Sequence, residues 1–223
     1  MTRFMLFYPL LFGLLGRYVL PWADGVSNFN IDVYADLFVV ILGLFTPQIY
    51  GAITGFSILD DRDDSILTSI KVTPLSIHQF LSFRLAMVLF FSFISTAFVI
   101  WFSNIGNLPA GNILAISFLA SFAAPVTGFI INSLAGNKIE GFAIMKASGI
   151  IMFLPVAALF FTDVKELIFC IAPGYWPAKA ISSIIRGSGK LFMTYDQYYF
   201  IGLAYVVFLN IVLYRIFFKK IEV

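Results

Sequence analysis

The sequence predicts an all-α integral membrane protein with six transmembrane helices, and three observations carry that expectation. Of its residues, 61% are hydrophobic and 12% charged, against roughly 45–50% and about 25% in a soluble domain. Six runs approach or reach the ~20 apolar residues that a helix needs to cross a bilayer: about Phe4–Trp22, Tyr34–Ile58, Leu85–Ser103, Asn112–Leu134, Phe142–Phe161 and Tyr198–Phe218. The polar stretch after the second run, Leu59 to Arg84, is 26 residues long and carries helix start and stop signals of its own. No run alternates like the strands of an outer-membrane barrel. Residues 1–223 read as a single membrane domain, with no linker, low-complexity tract or soluble domain.

The first run ends without a small-x-small cleavage site, so it reads as a retained first helix. Orientation follows the Lys/Arg bias. With both termini inside, the inner segments hold Arg3, Arg62, Lys71, Arg84, Lys138, Lys146, Arg215, Lys219 and Lys220. The outer loops Ala23–Val33 and Asn104–Gly111 hold neither Lys nor Arg, and the last outer segment, Thr162–Tyr199, holds Lys165, Lys179, Arg186 and Lys190. The expected layout is a multi-pass protein of the cell membrane with both termini cytoplasmic. A net charge of +2 gives no footing for nucleic acid. A single cysteine, Cys170, and a single histidine, His78, leave no internal disulfide and no cysteine or histidine metal cluster.

The polar stretch reads LDDRDDSILTSIKVTPLSIHQFLSFR. So many charges do not stay in lipid, so it lies in water or against a soluble partner. Asp63 or Asp64 is positioned to cap a helix starting at Ser65, and Ile66, Leu67 and Ile70 share one face of it. Pro74 takes Thr73 out of helical geometry. Ser76-x-x-Gln79 is a capping box for the third span, with Leu75 and Phe80 at the staple positions. This short helix is either an interfacial connector resting on headgroups or a docking surface.

Within the spans, Gly51-x-x-x-Gly55 and Ala120-x-x-x-Ala124-x-x-x-Gly128 allow close helix approach, as packing within one chain or as a dimer seam. Pro47, Pro125 and Pro155 each free a backbone carbonyl and favour a kink. Arg17 and Lys146 lie near span ends and can snorkel outward and inward. No acid lies at mid-membrane, which disfavours a proton-driven pump. Gln48, Thr54 and Asn210 are the polar residues left for a translocation path.

The segment before the sixth span holds two short helical signals. Asp163-x-x-Glu166 reads as a capping box opening a helix of about nine residues that ends at Pro173-Gly174. Pro177 starts a second, with Gly187 past its end and Ile181, Ile184 and Ile185 on one face. Neither can cross a bilayer at about 1.5 Å per residue. They are re-entrant half-helices covered by protein, or an interfacial aromatic belt of Tyr175, Trp176, Tyr195, Tyr198 and Tyr199. Gly187-Ser188-Gly189-Lys190 is not a phosphate loop: Ile184 stands where the first glycine belongs, and Leu191 follows the lysine.

The stretch ILDDRDDSILTSIKVTPLSIHQFLSFRL resembles the segment between spans two and three of ABC-2 type transporter permeases. Val72-Thr73-Pro74-Leu75-Ser76 matches that family's turn into span three. The resemblance implies that the short helix is a coupling helix seated on a cytoplasmic ATP-binding subunit. Asp60, Asp61, Arg62, Asp63 and Asp64 would be its polar contacts, and Ile66, Leu67 and Ile70 its apolar knob. The outer segment is similar to the family's re-entrant helices, and Pro173-Gly174-Tyr175-Trp176-Pro177-Ala178-Lys179-Ala180 resembles small drug-export permeases described as fluoroquinolone-type. Trp176, Ile181 and Ile185 are then the candidates for an outer gate or exit. The implied protein is the permease subunit of an ATP-driven exporter of a drug-like or small amphiphilic compound. It is no enzyme itself and holds no cofactor. ATP and magnesium sit in two partner ATP-binding subunits, and a second permease chain, the same or related, completes the transporter in the lipid bilayer. Span one begins almost at Met1, where many family members place an amphipathic helix first, and this favours the drug branch over polysaccharide export. The alternatives are a passive membrane protein without ATP coupling, such as a channel subunit or a membrane-resident immunity protein, and an intramembrane enzyme. The absence of a nucleophile–base pair disfavours the enzyme.

Overall fold

A bilayer offers no partners to a bare backbone, so each apolar run closes its own hydrogen bonds as a helix. The structure, a computed structural model, describes residues 2–27, 30–64, 66–70, 72, 74 and 76–222, and the side chains of these except 2–6, 27, 67, 68, 188 and 220–222. All regular structure among them is helical. Helices α1 (Thr2–Leu14) and α2 (Leu20–Ser27) are joined by a π turn. Then follow α3 (Ala35–Asp63), α4 (Ile66–Ile70), α5 (Ile77–Ser103), α6 (Ala110–Ser121), α7 (Ala123–Leu134), α8 (Lys138–Ile151), α9 (Phe153–Ala158), α10 (Tyr175–Arg186) and α11 (Tyr195–Glu222). Among the described residues five helical stretches are long and apolar enough to cross a membrane: Ile31–Asp63, Ile77–Ser103, Ala110–Leu134, Lys138–Ala158 and Tyr195–Lys219. The chain is therefore a multi-pass membrane protein. The first of the six expected runs forms α1 and α2 and is not among those five.

Several boundaries follow local chemistry. The Ser76–Gln79 box is formed in both directions, at 3.1 Å each, and moves the start of α5 to Ile77, eight residues ahead of the expected Leu85. Asn137 caps α8 by accepting from the Glu140 N–H at 3.0 Å. Helix α3 runs past the expected Ile58 to Asp63, because Asp60, Asp61 and Arg62 find partners on neighbouring helices. Asp63 ends α3 and Asp64 follows as its C-cap; Ser65, Lys71, Thr73 and Leu75 lie outside the described residues. The fourth and fifth spans break at Phe122 and Met152, three residues before Pro125 and Pro155, while Pro47 sits inside an unbroken α3.

Helix α3 is the spine. Its Gly51 lies so close to α7 that a Cβ there would stand 2.3 Å from the Ala124 carbonyl oxygen and 2.7 Å from the Thr127 Cβ. At Gly55 the same test meets Ile131 at 3.1 Å and the Gly128 Cα at 3.4 Å. The two small-residue motifs thus pack on each other within one chain. Asn132 of α7 closes the seam by donating to the Gly55 carbonyl at 2.9 Å. One core cluster gathers Val39, Val40, Ile116, Leu119, Tyr175 and Tyr198 from α3, α6, α10 and α11.

The outer segment differs from expectation at Glu166. The expected nine-residue helix is a six-residue 3-10 turn, Val164–Phe169, and the Asp163 side chain caps nothing. The Glu166 carboxylate is turned inward instead and is fully buried. A buried lysine, described below, takes it as a counter-ion.

Gly51→Ala is expected to destabilise the protein by about 1–3 kcal/mol, because no side chain can yield to a clash with backbone. Gly149→Ala, with nothing within 4 Å of its Cβ position, is expected to be neutral or stabilising by up to ~1 kcal/mol. Unfolding midpoints in detergent compare the two.

Candidate functional site

At one end of the bundle, α3 is tied to three neighbours. Asp60 pairs with Lys138 of α8 at 2.6 Å. Asp61, buried, pairs with Arg84 of α5, whose guanidinium also lies over the Phe80 ring. Arg62 donates to the Asn132 and Ala135 carbonyls at 3.2 and 3.4 Å, placing a cation where the dipole of α7 is negative. His78 stacks on Phe218 and shares a hydrogen bond of 2.9 Å with the Tyr214 hydroxyl, fixing the start of α5 to α11. From this frame α4 stands out. Asp63, Asp64 and Ile66 are exposed, Val72 is 89% exposed, and Ile70 is buried. Of the eight residues expected to meet a partner, three therefore have in-chain ionic or carbonyl contacts and three face outward. Ile70 packs inward, and the side chain of Leu67 lies outside the described residues.

At the opposite end α10 lies across the bundle with a polar face. Lys179, Ser182 and Arg186 recur at helical spacing. Lys179 is fully buried; it pairs with Glu166 at 2.6 Å and donates to the Phe161 carbonyl at 2.5 Å. Glu166 also accepts from the hydroxyls of Tyr175, at 3.1 Å, and Tyr198. Burial pushes the Lys179 ammonium below its ordinary range, and the Glu166 carboxylate pulls it back. Burial and the same carboxylate push the Tyr175 hydroxyl well above its ordinary value. Beside this group, Asp36 in the first turn of α3 pairs with Arg186 at 2.6 Å and accepts from Ser182 at 2.9 Å. Arg186 donates further to the Leu159 carbonyl at 3.0 Å. This buried network was not foreseen. Its signal was the Lys179–Ser182–Arg186 stripe on the face opposite the isoleucines.

Of the three expected gate residues, Trp176 and Ile181 are core. Trp176 packs on Gly202 of α11, where a Cβ would stand 2.4 Å from the Trp176 Cβ. Ile185 is half-buried on Gly106, a residue at φ 74° that glycine alone adopts easily.

Between the ends, Gln48 of α3 accepts from the Thr127 hydroxyl at 2.7 Å. Both residues line a cavity of about 200 Å³ between α3, α7, α8–α9, the Pro173-Gly174 turn and α11. Thr54 is buried in α3 away from that cavity. Asn210 donates to the Phe122 carbonyl at 3.1 Å, satisfying the backbone at the α6–α7 break.

A family model described as fluoroquinolones export permease protein Rv2686c-like matches residues 1–214. Two curated relatives from Mycobacterium tuberculosis are similar: fluoroquinolones export permease protein MT2760 of strain CDC 1551 / Oshkosh and fluoroquinolones export permease protein Rv2686c of strain ATCC 25618 / H37Rv. Each is 33% identical over 159 residues, which is 69% of this chain and 62% of the relative. The match thus spans less than two thirds of the length of these relatives. No solved structure matches the chain.

Glu166→Gln leaves the Lys179 cation buried without its counter-ion and is expected to cost about 3–5 kcal/mol. Adding Lys179→Met to it removes the orphaned charge and is expected to restore most of that loss. Chemical unfolding of the three proteins in detergent measures both steps.

Proposed function

This chain belongs to the Rv2686c-like fluoroquinolones export permease family, and from that premise we propose that it is the membrane subunit of an ATP-driven exporter of a drug-like or small amphiphilic compound. The observation that carries the ATP-driven part is α4: a five-residue helix between two spans, with Asp63, Asp64 and Ile66 turned outward. The Lys/Arg bias puts that end in the cytoplasm, with both termini, and α10 on the outer side. ATP-binding subunits would seat on α4, two for a pair of permease chains. ATP and magnesium, held by those subunits, supply the closing motion.

The residues of this chain then divide the task. Asp63, Asp64 and Ile66 present the contact, with Val72 extending it. Asp60, Asp61 and Arg62 are the polar contacts that act inward: they lock the end of α3 to α8, α5 and α7. A push on α4 therefore moves these helices together. At the other end of α3, Asp36 holds Arg186 and Ser182 of α10. Displacing α3 strains that pair, so α10, with Trp176, Ile181 and Ile185, acts as a packed plug whose release opens the outer side.

Ile66→Asp sets a charge in the apolar contact without touching a span. The expected outcome is normal membrane insertion with at least a tenfold loss of ATP-binding subunit in co-purification; retained association and export would make α4 a connector only. In a Cys170→Ser background, single cysteines at Asp64 and Lys190, both exposed, are expected to react with an impermeant thiol reagent from opposite sides of the membrane. Reaction from one side would refute the orientation.

A further inference from the structure

We propose that the groove between α5, α7 and α11, at the α4 end of the bundle, is a binding site for one anionic phospholipid, with an acyl chain in the groove and the phosphate on Arg215. Such a site needs no ATP-binding subunit and stands apart from the transport reading. His78 and the Tyr214 hydroxyl, 2.9 Å apart, and the stack of His78 on Phe218 join α5 to α11 at that end. Beyond this join the two helices part, and α7 forms the floor between them. The gap encloses about 410 Å³. Ser82, Leu85, Ala86 and Leu89 recur at three- and four-residue spacing on one face of α5 and make one wall. Ile211 and Arg215, one turn apart on α11, belong to the other. Pro125 and Phe129 of α7, both buried, are the floor. Ala86 and Ile211 are exposed, so the gap opens sideways, toward the hydrocarbon of the bilayer.

Depth and charge together say what fits. Ser82 to Leu89 rises about 10 Å along α5, within the ~15 Å that one leaflet contributes to the hydrocarbon core. The interior offers a ligand little but apolar contact. The Asn210 amide nitrogen donates to the Phe122 and Val206 carbonyls, its oxygen is buried, and the Tyr214 hydroxyl is held by His78. The charge sits at one end. Arg215 lines the groove beside Tyr214, and Lys219 follows one turn later on α11. Both are exposed, and neither has an ion pair among the described residues. No Asp or Glu lines the groove among the described residues. A slot of this depth, apolar inside and cationic at its headgroup end, matches a chain-bearing anion that resides in the bilayer. Basic pockets between membrane helices bind anionic headgroups, and the forked guanidinium suits a phosphate. The two walls and the buried floor single out one chain from the lipid around the protein.

The test titrates the purified full chain, in a neutral detergent, with phosphatidylglycerol and with phosphatidylcholine of identical acyl chains. Native mass spectrometry counts the bound lipid. The expected result is one saturable phosphatidylglycerol per chain, bound about fivefold tighter than phosphatidylcholine, the effect of about one basic residue at the membrane surface. Arg215→Gln should remove that preference, while Lys190→Gln, at the opposite end of the bundle, should keep it. Ala86→Phe puts a ring into the groove from its exposed wall and should abolish saturable binding of both lipids; if that variant does not fold, Arg215→Gln decides alone. Glycerol phosphate, which carries the phosphate without chains, should not compete. Equal affinity for the two lipids, an unchanged preference in Arg215→Gln, graded uptake of many lipids with no saturable one, or competition by glycerol phosphate would each overturn the proposal. So would a dimer of the chain that Ala86→Phe splits, since a second copy would then occupy the groove.

Discussion

The near-contact of α3 and α7 at Gly51 is the constraint on which the rest of the structure depends. Lipid tails are as apolar as the side chains they meet, so helices in a bilayer are held by close packing and by hydrogen bonds between them, not by exclusion of water. Gly51 and Gly55 let the backbones approach, and three polar links along the same seam need that approach. Thr127 reaches Gln48, Asn132 reaches the Gly55 carbonyl, and Arg62 reaches the last carbonyls of α7. Each adds a hydrogen bond across the seam to the close packing of the two backbones. A larger residue at Gly51 would part the helices and lengthen all three links at once.

The ends of α3 add charge to this frame. Asp61–Arg84 and Asp36–Arg186 stand at opposite ends of one 29-residue helix. In each pair the carboxylate is buried and the guanidinium about a third exposed, so losing the cation strands a buried charge and is severe. Such pairs therefore define one arrangement sharply and make departures from it abrupt. That suits a part that must occupy discrete positions. The Glu166–Lys179 pair adds a second buried link at the α10 end, with two tyrosine hydroxyls on the same carboxylate.

Features set by residues near in sequence were legible in the sequence. The apolar runs announced the helices, Ser76 and Gln79 announced the start of α5, and the prolines at 125 and 155 announced breaks that fall three residues before them. Features set by distant partners were not. The glycine and alanine spacing allowed packing within the chain or between chains, and only the fold shows Gly51 against Ala124. Asp60–Asp64 read as a water-facing patch because the partners, Arg84, Lys138 and the end of α7, lie between 23 and 78 residues away. Glu166 read as a helix cap because the rule for caps sees three residues ahead and cannot see Lys179 arriving beside it. Asp36 carries no local signal in the sequence, because the partners that give it its role, Arg186 and Ser182, lie about 150 residues away and tie α3 to α10.

If α3 transmits motion from α4, the charge pair that fastens its inner end must matter by its geometry and not by the identity of each residue. The most direct measurement is ATP hydrolysis by the assembled transporter, in nanodiscs, stimulated by cargo, for Asp61→Arg, Arg84→Asp and the double exchange. The expected result is that each single change, which sets like charges together in a partly buried site, abolishes stimulation. The double exchange, which restores an opposite pair between α3 and α5, should recover much of it at equal protein levels. Full stimulation in both single variants would contradict a mechanical link through this pair.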